Sequence, residues 1–490
     1  MKQTNLKSEL TIGLKILLAL LVTSFMGLLS WSIIGVLNGD DQTNKIFTIL
    51  ITAATFVVAT LQLYPNFLRH TWTIFRIPAR YSLVIIVPAL VYFFYWAFIP
   101  HHVIKIGVSV PLSGANKQDG LAILNAVNLA VNKFTVNQKL SGYTVEVVPF
   151  DDTIINNDSK EAPQPFISFL SDFQLAGVIG PFNSGVGIKE IPEVTKRSIA
   201  MISPGNTADC LIKDLYTTKC GDYAQDNNTY FRIVSVDSFR AQEFVKYLVS
   251  EIYPHSNIVI YRGSDPFSLS FAARLSEAIL DNTGMQITPI PLSQQPQNDL
   301  KNLSRPPDII LYAGTGTMAI ALHSAMQNDR RFSHTVFAAA ATIMNGGFTT
   351  HLKHTASSSA YAIAPMAYDD TADERWTFEG DYLTTYDSIP TPYSASAYDS
   401  TMILLKSIER AINQNAPPPL TPITNATDFR KRLVYNIDQL NKNDGNSITY
   451  HGVTGQIHFA KGNGNVLENH VSIYHFDNLN KFWTLVSTTP

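Results

Sequence analysis

Two short polar segments contain residue types suited to binding a small anion. Asn183–Gly185 and Gly205–Thr207 each come soon after a short apolar run, and the first precedes a helical pattern. Hydroxyl and amide groups donate hydrogen bonds, and free N–H groups at the start of a helix favour negative charge. The segments are therefore candidates for holding a carboxylate, with Ser184 and Thr207 first and Asn206 next. The same residue types also cap ordinary strand–helix turns, and the sequence leaves both interpretations open.

Alternating strand and helix patterns must position these two segments. Strands are predicted at Val103–Val110, Thr144–Phe150, Leu175–Ile179, Ala200–Ser203, Asn257–Tyr261, Asp308–Ala313, Thr335–Ala339 and Ala360–Ala364. Helices are predicted between them at Leu121–Phe134, Ala162–Phe173, Val186–Arg197, Phe239–Glu251, Phe267–Asn282 and Thr317–Gln327. Strands that are apolar on both faces and separated by helices indicate parallel sheets covered on both sides. The predicted fold class is therefore α/β and doubly wound.

The alternation runs to about Val234 and restarts after Asp237, which predicts two sheets and hence two lobes. The last part of the chain is different, with helices predicted at Ser394–Ile412 and Thr427–Leu440 and strands at Gly455–Phe459, Asn469–Phe476 and Phe482–Val486. In open α/β sheets, ligands lie beyond the carboxyl ends of the strands. Both polar segments fall at such ends.

Three apolar stretches occupy the first hundred residues, at Ile12–Val36, Ile46–Leu63 and Ser82–Ile99. A helix that crosses a bilayer needs about 20 mainly apolar residues. The first stretch is too long for the apolar core of a cleaved signal peptide, and two more stretches follow it. We therefore predict a three-helix membrane anchor over residues 1–100.

The charges that flank these stretches predict the orientation of the anchor. Lysines precede the first stretch, and Arg69, Arg76 and Arg80 occupy the loop before the third with no acid among them. Positive charge stays on the cytoplasmic side, so the N-terminus is expected inside and the body from His101 onward outside. Because two residues separate the third stretch from the first strand, the body is expected close to the bilayer surface.

Both cysteines, Cys210 and Cys220, belong to this extracytoplasmic portion. An oxidising compartment favours a disulfide that closes the short loop between them. Two free thiols are the alternative. A metal site there is not predicted, because neither cysteine has a nearby histidine or second cysteine at ligand spacing.

The composition and the remaining motifs argue against several classes of function. The chain has 490 residues, 46% of them hydrophobic, so it can bury a sizeable core. The net charge is −3 with no long basic run, which argues against a nucleic-acid partner. Gly314–Ala319 has a GxGxxA pattern, but no acid clearly ends a following strand about 20 residues later. Ser184 lacks a Gly-x-Ser-x-Gly elbow. No cofactor, metal or enzyme activity is predicted.

Six segments in order resemble the periplasmic branched-chain amino-acid (Leu/Ile/Val) binding proteins. The matching segments are Ile104–Gly114, Phe150–Asp152, Val178–Gly187, Ser203–Ala208, Tyr230–Asp237 and Gly452–Asn465. Each is weak alone, but together they extend the resemblance from about Ile104 to Val486. The resemblance does not include the first hundred residues, which depart from the usual cleaved signal or lipoprotein tether.

The resemblance implies two α/β lobes that close like a hinge on a ligand in the cleft. The three crossover strands would lie near Ile233–Ser238, Ala362–Ala367 and His451–Gly455. The first lobe would comprise about 103–235 and 366–450, and the second about 238–362 and 455–490.

The resemblance also implies ligand contacts from the second lobe, at Phe267 and at Thr315. The acid that the family uses to hold a ligand ammonium would fall near Phe337–Thr342, where the central residues are the alanines Ala338–Ala341. A buried ammonium without a carboxylate would be poorly paired. Asp265 is a possible substitute in this sequence.

These expectations combine into a prediction of function. The chain is predicted to be a membrane-anchored extracytoplasmic solute-binding protein for an ABC-type transporter. It would capture a small organic solute that carries a carboxylate, either amino-acid-like or an amide, by hinge closure. Its expected partners are the ligand, the lipid bilayer and a transporter permease or a membrane signalling protein. A ligand-sensing subunit of a signalling complex is the alternative, and an enzyme on the same scaffold is the third possibility.

Overall fold

Two sheets of mainly parallel strands form the framework of the described part of the chain. This computed structural model describes residues 102–489 except 138–139, 141–142, 156–161, 213–228, 356–358, 369–372, 415–425, 443–446 and 461–463. The predicted anchor stretches at 12–36, 46–63 and 82–99 lie outside the described residues. Within the described ranges, no helix is both long enough and apolar enough to cross a membrane.

The first sheet is entirely parallel in its described pairs. Its strands are β1 (His102–Val110), β2 (Tyr143–Asp151), β3 (Leu175–Ile179), β4 (Ala200–Ser203) and β5 (Tyr230–Arg232), in the order β2-β1-β3-β4-β5. Every residue of β3 and β4 is buried. Such strands read as continuous apolar runs because helices cover both faces of the sheet.

The second sheet combines parallel strands with an antiparallel edge. After β6 (Ile258–Arg262), β7 (Ile290–Pro291), β8 (Ile309–Ala313), β9 (Val336–Ala340) and β10 (Ala360–Ala364), a small pair β11 (His451–Gly452) and β12 (Gly455–Gln456) precedes β13 (Ser472–Asp477) and β14 (Phe482–Thr488). The order is β14-β13-β10-β9-β8-β6-β7, and β13 and β14 run antiparallel to their neighbours. The α/β prediction is confirmed, while this edge hairpin departs from a purely parallel doubly wound lobe. Residues of β14 alternate between exposed and half-buried, which suits an edge strand with one face in solvent.

Helices flank both sheets. They are α1 (Lys117–Asn137), α2 (Gln164–Leu170), α3 (Ser184–Lys196), α4 (Asp237–Val245), α5 (Pro266–Thr283), α6 (Pro296–Lys301), α7 (Gly316–Gln327), α8 (Gly346–Lys353), α9 (Asp373–Tyr386), α10 (Pro392–Asn413) and α11 (Ala426–Asp438). Helices α1, α9, α10 and α11 pack together beside the first sheet, although α9 to α11 follow the parallel strands β6–β10 of the second sheet in sequence.

Helix α10 is central to the first lobe. Thr391 and Ser394 form a reciprocal capping box at its start, with Pro392 in the first turn. The helix packs directly on β3, since a Cβ added at Gly177 would lie 2.8 Å from Leu404 Cδ1. This close approach ties the sheet to the helix layer and holds the strand ends that face the second lobe.

The chain passes between the two sheets three times, near Ser235, near Pro365 and near Thr454 in sequence order. These three passages lie side by side. Ser235, which follows β5, donates its backbone N–H to Pro365 O at 2.7 Å and its hydroxyl to His470 O at 2.7 Å. Ile233, Pro365 and Thr454 share a small cavity of about 20 Å³. Adjacent connections of this kind are where rotation of one lobe against the other is expected to be absorbed.

Asp399 on α10 fastens the third passage to the first lobe. Its carboxylate accepts hydrogen bonds from Tyr450 Oη at 2.6 Å, Val453 N at 2.9 Å and Thr454 N at 2.8 Å. The Thr454 hydroxyl donates to it as well, at 2.7 Å. A Cβ added at Gly452 would lie 2.5 Å from Asp399 Oδ2, so the turn approaches the carboxylate too closely for any other residue.

Candidate functional site

A cavity of about 320 Å³ lies between the carboxyl ends of the two sheets. The first lobe contributes residues that follow β1, β2 and β3, including Asn116, Asp152 and Asn183. The second contributes Asp265 after β6 and Thr315 after β8. Cavities at this edge of open α/β sheets are where such folds bind ligands, and a volume near 300 Å³ suits a small organic molecule.

The start of α3 presents backbone donors to this cavity. Asn183 is the residue before the helix, and its side chain does not cap the helix. Instead, Asn183 Oδ1 accepts a hydrogen bond from Asn116 Nδ2 at 3.4 Å. Gly185 in the first turn lines the cavity. The positive end of the helix therefore faces the cavity, which favours a negatively charged group there.

The other candidate ligand-binding residues of the first lobe are buried within the two turns. Ser184 and Thr207 are 2% and 1% exposed, and Asn206 is fully buried. Ser184 Oγ accepts from Ala208 N at 3.3 Å. The two predicted turns are therefore adjacent, as expected from neighbouring strands, while the Ser184 hydroxyl is engaged within the protein. A ligand role for these side chains stays a prediction.

Asn206 and Gly205 hold the second turn against the first. Asn206 Nδ2 donates to Phe182 O at 3.0 Å, and Tyr230 Oη donates to Asn206 Oδ1 at 3.0 Å. A Cβ at Gly205 would lie 2.7 Å from the Phe182 ring, so this position has no room for a side chain. In this structure both residues position the turn, and their predicted ligand role is untested.

The candidates of the second lobe divide between the cavity and its surroundings. Thr315 precedes α7 and lines the cavity. Phe267 is half-buried and stacks on Phe271, with ring centroids 5.9 Å apart and planes at 12°. Asp265 lines the cavity while its Oδ1 accepts from Ser268 N at 3.1 Å, capping α5. The alanines at 338–341 are buried in β9 and the turn that follows it.

Thr207 also connects the site to a buried ion pair that the sequence analysis missed. Thr207 O accepts from Asp237 N at 2.8 Å. Asp237 Oδ1 accepts from Arg240 Nη1 at 3.0 Å, and both side chains are fully buried. The guanidinium lies 4.7 Å from the Phe271 ring centroid, and its Nε and Nη2 have no hydrogen-bond partner within the described structure. The spacing of three residues on one helix face was the available signal.

Polar contacts bridge the two lobes around the site. Arg274 of α5 pairs with Asp209 at 3.2 Å, and Ser238 Oγ donates to Asp209 Oδ1 at 2.5 Å. On the other side, Gly347 N of α8 donates to Gln118 Oε1 of α1 at 3.1 Å. The lobes therefore touch on both sides of the cavity.

Asp152 is a fully buried acid in the lining of the cavity, and its pKa is raised. The residue is 0% exposed, and neither carboxylate oxygen has a hydrogen-bond partner in the described ranges. Burial, and next the charge of Asp151, raise the pKa of Asp152 to about 8. The carboxyl is therefore largely protonated at neutral pH.

We expect Asp152→Asn to weaken the pH dependence of stability. The pKa of Asp152 is about 8 in the folded chain against an ordinary value of 3.8, so between these values the folded state keeps a proton that the unfolded state loses. The free energy of unfolding therefore falls with rising pH, by about 1.4 kcal/mol per pH unit for this proton. Urea unfolding at pH 5 and pH 7 should give a slope for the variant that is shallower by about this amount. Equal slopes would contradict the assignment.

No cluster of three or more His, Cys, Asp or Glu that could hold a metal occurs in the described ranges. Cys210 is buried in the first lobe at 5% exposure, while Cys220 lies outside the described residues. The predicted disulfide stays a prediction.

Comparison with known proteins identifies a family with this architecture. A family model described as periplasmic binding protein matches residues 103–461. The chain belongs to this family. Its members are periplasmic solute-binding proteins rather than enzymes. The match includes both sheets up to β12, the three passages between them and the cavity. No match was found in a comparison with curated protein sequences.

Solved structures of this family share the fold. A leucine binding protein from Thermotoga maritima is 15% identical, with 79% of this chain and 98% of that chain covered and a TM-score of 0.60. A branched-chain amino acid transporter substrate binding protein from Streptococcus pneumoniae, in complex with isoleucine, is 17% identical, with 79% and 98% covered and a TM-score of 0.58. A solute binding protein of an ABC transporter from R. palustris, in complex with benzoate, is 13% identical, with 79% and 96% covered and a TM-score of 0.61. At these identities the likeness establishes the fold of this periplasmic binding protein.

Proposed function

We propose that this chain is a membrane-anchored solute-binding protein that works outside the cytoplasm and delivers a small carboxylate-bearing solute to an ABC-type transporter. The observation that carries the proposal is the cavity of about 320 Å³ bounded by loops of both lobes. A ligand there contacts both lobes at once, so its binding favours the closed form over the open one.

The start of α3 supports a carboxylate as the recognised group. Asn183 and Gly185 line the cavity at the positive end of this helix, and the Asn183 side chain leaves the helix N–H groups uncapped. Three solved relatives bind or are named for leucine, isoleucine and benzoate. These compounds all bear a carboxylate, which agrees with the chemistry of the helix terminus.

The hydropathy of the first hundred residues supports the anchored location. Three apolar stretches and arginines before the third one favour a cytoplasmic N-terminus and an extracytoplasmic body. An anchored binding protein remains beside its membrane partner, so the closed form is presented to a transporter without diffusion through the compartment. The predicted Cys210–Cys220 disulfide suits the same oxidising location.

A thermal-shift screen of the full chain in detergent tests the proposal. Amino acids, short carboxylates, amides and sugars are the probes, and a ligand at 100 times its dissociation constant should stabilise the fold by about 2.7 kcal/mol. Asn183→Ala and Thr315→Ala should each weaken a carboxylate ligand, because the two residues line the cavity from opposite lobes. Ser184→Ala and Thr207→Ala test the predicted hydroxyl contacts.

A matched control comes from a threonine outside the cavity. Thr385 is exposed on α9, and its hydroxyl bonds to Asp381 O of the same helix, so Thr385→Ala should leave ligand shifts unchanged. The proposal fails if no probe class shifts the melting temperature, or if ligand shifts survive substitution on both sides of the cavity.

A further inference from the structure

The start of α1 in the first lobe lies against the start of α8 in the second lobe. Gln118 Oε1 accepts a hydrogen bond from Gly347 N at 3.1 Å, and a Cβ added at Gly346 would lie 3.2 Å from the same oxygen. Gly120 holds this end of α1 against its own lobe, because a Cβ there would lie 1.9 Å from Pro111 O. The contact therefore joins two helix ends, one from each lobe, and it must break when the lobes separate.

Asp119 is a buried acid at this contact. It is 2% exposed although it belongs to the first turn of α1, and its side chain interacts by hydrogen bonding with Asn345, the residue before α8. Asn345 Oδ1 also accepts from Phe348 N at 3.1 Å and so caps α8. Separation of the lobes takes Asn345 away from Asp119 and admits water to the carboxyl group. The burial of this acid therefore depends on the contact between the lobes.

Burial dominates the ionisation of Asp119. The charged and titratable groups around it are Tyr393 of α10, the pair of Arg240 with Asp237 beyond Tyr393, His351 and Lys353 in the last turn of α8, Asp381 of α9 in its pair with Lys133, and the exposed Lys117 of α1. Burial raises the pKa of Tyr393, so this phenol is neutral near pH 7. No charged side chain among the described residues shifts the pKa of Asp119.

Contact between the lobes favours the protonated form of Asp119. Burial raises the pKa of Asp119 to about 7, and the hydrogen bond with Asn345 opposes part of this effect. With the lobes apart, water and the dipole of α1 favour the carboxylate, so the pKa falls towards the ordinary value of 3.8. Between these two values the closed form keeps a proton that the open form loses. Closure is therefore favoured as the pH falls through 7 and disfavoured as it rises.

We propose that Gln118 and Asp119 form a pH-sensitive latch with the start of α8, which holds the lobes together at mildly acidic pH and releases them as the pH rises. This inference rests on the proposed function, because capture between the lobes requires closure, and it specifies how capture is regulated. Gln118, Asp119 and Asn345 are outside the described lining of the cavity. The latch therefore changes affinity through closure and not through contact with the solute.

Titration calorimetry of the full chain in detergent tests the latch, with leucine, isoleucine and benzoate as the probes. Buffers of different ionisation enthalpy give the affinity and the proton uptake at pH 6 and pH 8. For each probe that binds, we expect an affinity about 10-fold higher at pH 6 than at pH 8, because only the closed form is protonated at Asp119. Uptake of about one proton per ligand is expected at pH 6 and almost none at pH 8.

Two variants and a control make the test specific. Asp119→Asn is neutral at every pH, so it should bind at pH 8 as tightly as the unmodified chain does at pH 6, without proton uptake. Gln118→Ala removes an uncharged contact, so it should weaken binding by a similar factor at both pH values. Asp381→Asn changes an acid paired with Lys133 away from the contact, and it should behave as the unmodified chain.

A measurement without ligand keeps the test decisive if the Asp119→Asn variant does not fold or if none of the three probes binds. Spin labels at Asn132 of α1 and Thr350 of α8, both exposed, report the distance between the lobes in the full chain by electron paramagnetic resonance. Opening separates α1 from α8, so the distances should be shorter at pH 6 than at pH 8. The Asp119→Asn chain should give the shorter distances at both pH values.

The outcomes separate the two proposals. Equal affinities or equal interlobe distances at pH 6 and pH 8 in the unmodified chain overturn the latch, and so does a pH effect that persists in Asp119→Asn. The carboxylate-binding function then stands if a ligand binds. A pH-dependent distance that is lost in Asp119→Asn, together with no ligand in the wider screen, supports the latch and overturns the proposed function.

Discussion

Asp399→Ala should reduce the free energy of unfolding by about 3–5 kcal/mol. The Asp399 carboxylate accepts four hydrogen bonds from the segment 450–454, two of them from the backbone N–H groups of Val453 and Thr454. Removing the acceptor leaves these groups inside the protein without a partner, which costs more than the net value of the bonds. Urea unfolding followed by circular dichroism measures the change.

Graded variants show whether the effect belongs to this cluster. Tyr450→Phe removes one donor and leaves the other three bonds, so it should cost about 1–2 kcal/mol. Asp438→Ala removes a half-buried acid paired with Lys442 on a helix surface and should cost less than about 1 kcal/mol. A loss for Asp399→Ala no larger than for Asp438→Ala would show that the third passage is not anchored by this carboxylate.

Arg240→Met should also destabilise the chain by about 3–5 kcal/mol, because it leaves Asp237 as an unpaired charge in the interior. Both side chains of this pair are fully buried. Burial, opposed by the Arg240 charge, raises the pKa of Asp237 to about 6, and loss of the arginine raises it further. The loss of stability should therefore be larger at pH 8 than at pH 5. At pH 8 Asp237 is ionised in the unfolded chain, and on folding the variant must either protonate this carboxylate or bury it as an unpaired charge.

The double variant Asp237→Asn with Arg240→Met separates charge pairing from packing. Replacing both members of a buried pair costs less than breaking it, so the double variant should recover at least half of the loss measured for Arg240→Met. Urea unfolding at pH 5 and pH 8 provides the measurement. A double variant no more stable than the single one, or a penalty that does not change with pH, would contradict this account of the pair.

The strand framework was predictable because buried parallel strands carry a direct signal in sequence. The predicted strands Leu175–Ile179, Ala200–Ser203 and Ala360–Ala364 agree with the structure at both ends. Leu175–Ile179 and Ala360–Ala364 are uninterrupted apolar runs, and Ala200–Ser203 is apolar up to its last residue. Short apolar runs of this kind are typical of strands covered on both faces. The position of the cavity followed from the same signal, since loops after parallel strands meet at one edge of the sheet.

Helices and strands whose sequences contain few apolar residues in a regular pattern were not predicted. Helix Asp373–Tyr386 buries only Phe378 and Tyr382, so its pattern resembles a polar loop. The short strand Tyr230–Arg232 is recognisable as a strand through its pairing with Ala200–Ser203. The conformation of such a short strand depends on pairing with a distant segment of the chain, and the local sequence does not show that pairing.

The direction of individual side chains in the turns was likewise beyond the sequence. Ser184 and Asn183 are neighbours with equally suitable chemistry, yet Asn183 lines the cavity while the Ser184 hydroxyl bonds to Ala208 N. Asp151 and Asp152 are also neighbours in the chain, and their hydrogen bonding differs even more. Asp151 accepts from Leu112 N and Thr153 N, whereas Asp152 is buried without a partner in the described structure. Only the three-dimensional structure distinguishes these neighbours.

A crystal structure of the full chain with a ligand from the screen tests the central claim most directly. We expect the ligand in the cavity between the sheets, in contact with Asn183 or Gly185 on the first lobe and with Thr315 or Asp265 on the second. Such a ligand explains closure, because it gains contacts in the closed form that the open form lacks. A ligand that touches one lobe alone, or that binds away from this cavity, would contradict capture between the lobes.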